Sequence, residues 1–188
     1  MSERKNNLIS LKKALKHSNE QLRDSWCEQL LYKTYIIHSE FKNVNYNVCL
    51  ENLKVDSENK VVITNISENT NVETKVKTDV RFKAPELIGC NKRSKAGDVW
   101  ATGICVFYIK NFGFPWKSAA KSDENYSLWA EKGTFPCCVS SSNLRTLKQM
   151  LCVEPEKRPN IKNVIKSTYN DEVNLKVLSK FILKKKKL

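Results

Sequence analysis

Apolar residues recur along most of this chain at helical spacing, with one short stretch at the spacing of strands. Leu8, Ile9, Leu11 and Leu15 fall on one helical face, and a polar break follows over Asn19 to Asp24. Leu22, Trp26, Leu30, Lys33 and Ile37 then mark a second helix, flanked by Leu31 and Tyr35. The spacing predicts this because residues three and four apart share one side of an α-helix. Leu53 to Asp56 and Val61 to Thr64 alternate instead, and Ser57 to Lys60 joins them, which predicts a short β-hairpin. Asp98 to Lys110 is apolar nearly all round, as a buried central helix should be. Leu144, Leu147, Met150 and Leu151, then Ile161, Val164 and Ile165, give two further amphipathic helices. The span from Glu68 to Lys77 is polar and reads as a solvated loop. The expectation is a mainly α fold with one hairpin.

Length and composition leave that expectation intact. A chain of 188 residues suits one domain with one substantial core. The longest apolar run, Ile104 to Ile109, is too short to cross a bilayer, so no membrane association is expected. No secretory signal is visible in the first residues. The seven cysteines are odd in number and scattered, which reads as reduced thiols in the cytoplasm or nucleus. His17 and His38 have no metal-ligand spacing to the Cys137–Cys138 pair, so no metal site is expected. Cys105 lies inside the apolar helix and reads as a small buried hydrophobe.

The net charge of +13 favours encounter with acidic partners, nucleic acid included. The only tight cluster, Lys184 to Lys187, belongs to a basic tail over residues 181–188. No aromatic-basic or zinc-finger pattern points to dedicated nucleic-acid recognition, which is therefore the remotest of the functional readings.

Four short motifs stand in order. Phe82-Lys83-Ala84-Pro85-Glu86 precedes Asp98-Val99-Trp100-Ala101-Thr102-Gly103, then Phe114-Pro115-Trp116, then Leu151 to Pro159 with Glu154-Pro155 and Arg158-Pro159 inside it. Together they resemble the large, C-terminal lobe of a protein kinase, from the end of the activation segment onward. The turn at Phe114 and the later Tyr126-x-x-Trp129 are similar to the SBK group of serine/threonine kinases. The resemblance implies a kinase-like lobe over residues 1–180 with the small lobe absent, since neither a Gly-rich loop nor a lysine-bearing strand precedes Asn45. It also implies that Glu86 and Arg158 form a buried ion pair and that Asp98 accepts hydrogen bonds from the catalytic-loop backbone.

The same alignment puts neutral side chains where the family does chemistry. Asn47 falls at the catalytic base, Cys49 at the phosphate-binding lysine and Asn65 at the principal metal ligand. Only Asn52, at the second metal position, keeps the family identity. A carboxamide has no ionisable proton acceptor, and magnesium prefers anionic oxygen. The resemblance therefore implies a degenerate ATP site, with no catalytic residue, cofactor or metal expected. Thr70, Thr74 and Thr78 in the polar loop could be phosphorylated.

Three functional classes follow. The first is a pseudokinase module acting by protein binding, as inhibitor or scaffold, on a kinase small lobe or a kinase substrate. The second is a fragment of, or a residual, ATP-dependent Ser/Thr kinase, with ATP and magnesium as cofactors. The third is a basic nucleic-acid-associated protein.

Overall fold

The computed structural model describes residues 8–40, 45–46, 48–64, 66–67, 79–89 and 94–169. The elements are β1 (Ile9–Ser10), α1 (Leu11–Leu15), α2 (Glu20–Glu40), β2 (Asn45–Tyr46), β3 (Leu53–Val55), β4 (Val61–Ile63), β5 (Ile66–Ser67), α3 (Lys95–Asn111), α4 (Glu124–Lys132), α5 (Ser141–Met150) and α6 (Ile161–Tyr169). The architecture is mainly α with a short hairpin, as expected. No helix among the described residues is long and apolar enough to cross a membrane.

The central helix is α3. Ser94 caps its start by accepting the Gly97 amide at 2.9 Å, and Val99, Trp100, Ile104, Cys105, Phe107 and Ile109 are buried around it. Helix α2 lies against it, and Thr34 meets Thr102 across the seam at 3.2 Å. On another side α5 comes close at Gly103, where a Cβ would sit 3.0 Å from both Met150 Cβ and Leu151 Cδ2. A cluster of Trp100, Trp116, Tyr126, Trp129 and Phe135 fills the space beside α3, with the Trp129 and Phe135 rings stacked 4.3 Å apart. Trp129 Nε1 donates to the Leu151 carbonyl at 2.9 Å, which satisfies its polar edge in the interior.

The hairpin has the expected strands, and β3 pairs β4 with Leu53 opposite Ile63 and Val55 opposite Val61. Helix α2 straps its turn. Gln29 Oε1 accepts the Val61 amide at 2.8 Å, while Gln29 Nε2 and Trp26 Nε1 both donate to the Asn59 carbonyl. Asn59 itself is left-handed, with φ of 59°, which an asparagine in a tight turn tolerates.

Two readings need correction. The helical face over Leu8 to Leu15 is not continuous: Ile9 and Ser10 form β1, which adds to β3 with Ile9 opposite Val55. The helix starts only at Leu11, where Ser10 accepts the Lys13 amide as its N-cap. Edge pairing thus overrides the helical period, and Leu8 and Ile9 are exposed while Leu11 and Leu15 are buried. The polar break is also shorter than Asn19 to Asp24. Asn19 accepts the Leu22 amide at 2.8 Å, so α2 begins at Glu20 and the polar residues after it form its exposed first turns.

Candidate functional site

The retained frame centres on Arg158. Its guanidinium, with no side-chain exposure, grips Glu86 through both terminal nitrogens at 2.8 and 3.1 Å. It donates further to the carbonyls of Ala96 and Cys152, each at 2.9 Å, and lies over the Trp100 ring. One side chain therefore joins the 3-10 turn at Pro85–Leu87, the start of α3 and the loop before α6. Such a planar fork matches a carboxylate in a way that lysine cannot. The expected ion pair is present.

A second tie holds the end of α2. His38 Nε2 and Asp98 Oδ2 are 3.0 Å apart, and both side chains are nearly inaccessible. Lys95 Nζ donates to the His38 carbonyl at 2.7 Å, satisfying an acceptor at the helix end. The His38–Asp98 contact is not evident from the residues alone, since sixty positions separate them. Asp98 thus ties the start of α3 to the end of α2. The loop segment 41–44 and Asn47 lie outside the described residues.

The described part of the loop runs from Val48 to Leu53 and is buried at Val48, Cys49, Leu50, Asn52 and Leu53. Leu50–Asn52 makes a 3-10 turn. The Asn52 carbonyl then accepts both the amide and the hydroxyl of Thr64, at 2.8 and 3.1 Å. Strands β2 and β5 pair with Tyr46 opposite Ile66. The immediate neighbours of Asn47 and Asn65 are thereby brought together, while Asn47 and Asn65 themselves lie outside the described residues, as do Thr70, Thr74 and Thr78.

At Cys49 burial pushes the thiol above its usual value, so it carries no charge at neutral pH. Glu51 is the loop's carboxylate. Burial pushes it up most, yet the hydrogen bond and charge of Lys12, with backbone and Cys49 hydrogen bonds, together leave it below the usual range. Lys12 Nζ reaches it at 2.7 Å from α1, a contact that sequence spacing did not suggest. Among the described residues no group of three or more His, Cys, Asp or Glu side chains could hold a metal ion.

Residues 3–170 match the protein kinase domain. The chain is 24% identical over 151 residues to an inactive tyrosine-protein kinase, kin-32 of Caenorhabditis elegans, covering 74% of this chain and 17% of the relative. It is 29% identical over 103 residues to the serine/threonine-protein kinase SBK1 of Danio rerio, covering 48% and 27%. Against the serine/threonine-protein kinase Nek4 of Mus musculus it is 24% identical over 144 residues, covering 75% and 18%. The chain thus spans well under a third of each of these relatives. With the family match running almost end to end and the Glu86–Arg158 frame in place, this chain belongs to the protein kinase family.

Proposed function

We propose that this chain is a non-catalytic kinase-like module that acts by binding another protein, as an inhibitor or scaffold of a kinase. The observation that carries the reading is the contrast at the site. Arg158 and Glu86 keep the lobe's frame, whereas Cys49 puts a buried neutral thiol where the family places a phosphate-binding cation. Magnesium and ATP do not fit the donor set: Asn52 offers a carboxamide, Asn65 another, and the loop's carboxylate is engaged by Lys12. Losing a positioned base alone costs about a hundred- to ten-thousand-fold in rate. A cytoplasmic or nuclear setting accompanies this reading, in keeping with the exposed unpaired thiols Cys137 and Cys138.

The face proposed for binding carries β1, β3, β4 and the Val48–Asn52 loop. Leu8 and Ile9 are exposed there at 38% and 42%, and Val62 and Ile63 are half-buried. Affinity capture with mass spectrometry would identify the partner, and hydrogen exchange on that complex would locate the contact. Protection of amides in β1, the hairpin and the loop is expected. Protection confined to residues 181–188 would overturn the reading.

A further inference from the structure

We propose that the groove between α5 and α6 docks an acidic peptide segment carrying small apolar anchors. The groove is open to solvent, offers about 740 Å³ and is lined by α5, α6 and the loop between them. None of those elements carries a residue matched to the phosphate-handling positions, so the proposal is independent of whether the chain binds ATP. Half-buried Leu144, Cys152 and Pro159 supply the apolar part of the lining, and exposed Arg145, Lys148 and Lys157 the cationic part.

Charge selects the occupant. Neither α5 nor α6 contains an Asp or Glu, and α6 adds exposed Lys162 and Lys166 one position before the lining residues Asn163 and Ser167. Lys157 is paired with Glu154 at 2.5 Å, but no ion pair among the described residues engages Arg145 or Lys148. The α5 wall therefore presents a positive field to whatever enters, with Lys162 and Lys166 beside the neutral α6 wall, and positively charged partners are repelled. The apolar lining and the volume, within the roughly 300–1,000 Å³ of ligand clefts, exceed what a lone phosphate needs. Among the described residues no aromatic side chain lines the groove to stack a base, which favours a peptide over a nucleic acid.

Fluorescence anisotropy of the full chain with a labelled synthetic peptide, Glu-Glu-Asp-Leu-Glu-Glu-Leu-Asp-Glu, tests the assignment at about 50 mM salt, where surface electrostatics are weakly screened. Saturable binding is expected, weakened about tenfold or more in the double variant Arg145→Glu and Lys148→Glu. Both positions are exposed, and unchanged circular dichroism would show that the variant folds. Replacing the peptide leucines with glycine should also weaken binding, and deleting residues 181–188 should leave it unaltered. No binding, equal affinity in the charge-reversed variant, or loss on tail deletion would each overturn the proposal. Displacement of the peptide by a thymidine oligonucleotide at lower concentration than unlabelled peptide would assign the surface to nucleic acid instead.

Discussion

At the scale of single residues, Arg158 carries more of the structure than any other polar side chain described. It is buried, bidentate on Glu86 and bonded to two carbonyls at 2.9 Å. Removing Glu86 leaves the buried guanidinium without its carboxylate, at a cost of about 3–5 kcal/mol, and removing Arg158 also deletes its carbonyl bonds and its packing on Trp100. Glu86→Ala and Arg158→Ala should each destabilise strongly, and the double variant should lose less than their sum. Urea denaturation of the four proteins checks this, and additive losses would show that the pair does not interact. This pair was legible because both residues sit in recognisable motifs. His38–Asp98 and Lys12–Glu51 were not, since nothing in local spacing joins residues so far apart in the chain.

Buried thiols give a pH signature at the same scale. Burial pushes Cys27 up to about 12, partly offset by Lys110, and raises Cys105 in the same direction. A thiol in the unfolded chain ionises near 8.5, so the folded state holds its proton over a range where the unfolded state has lost it. The stabilisation is complete below the unfolded value and fades as pH rises toward the folded one, by at most about 1.4 kcal/mol per pH unit for each group. The stability difference between the wild type and Cys27→Ala should therefore shrink from pH 7.5 to pH 10. A constant difference across that range would contradict the buried-thiol account.

At the scale of elements, the helical period located α2, α3, α5 and α6, and strand alternation located the β3–β4 hairpin. Periodicity failed at Leu8 to Leu15, because a free strand edge on β3 captured Ile9 and Ser10 before α1 could extend to include them. It passed over α4, although Asp123 accepts two of that helix's amides and Gly133 closes it in the left-handed conformation. It was also blind to how α2 holds the hairpin. Gln29 reads as one more polar helix residue, yet it is buried and bonds both sides of the turn. Gln29→Leu should leave the Val61 amide without its acceptor and cost about 1–3 kcal/mol. Hydrogen exchange should show that amide losing protection while α5 and α6 keep theirs; unchanged protection at Val61 would refute the strap.

At the scale of the whole molecule, two surfaces follow from one lobe. The face carrying β1 and the hairpin bears exposed Leu8 and Ile9, and the α5–α6 groove bears Arg145 and Lys148, neither in an ion pair among the described residues. Buried aromatic packing and Arg158 hold the lobe, and neither depends on the residues at the phosphate-handling positions. The groove was invisible in the sequence because its two walls lie apart in the chain and its lining mixes lysines with half-buried apolar residues. The central claim is that this lobe has parted from ATP chemistry, and calorimetric titration with Mg-ATP tests it most directly. No saturable, magnesium-dependent heat is the predicted result. A micromolar constant that requires magnesium, equivalent to about 8 kcal/mol of binding free energy, would contradict it.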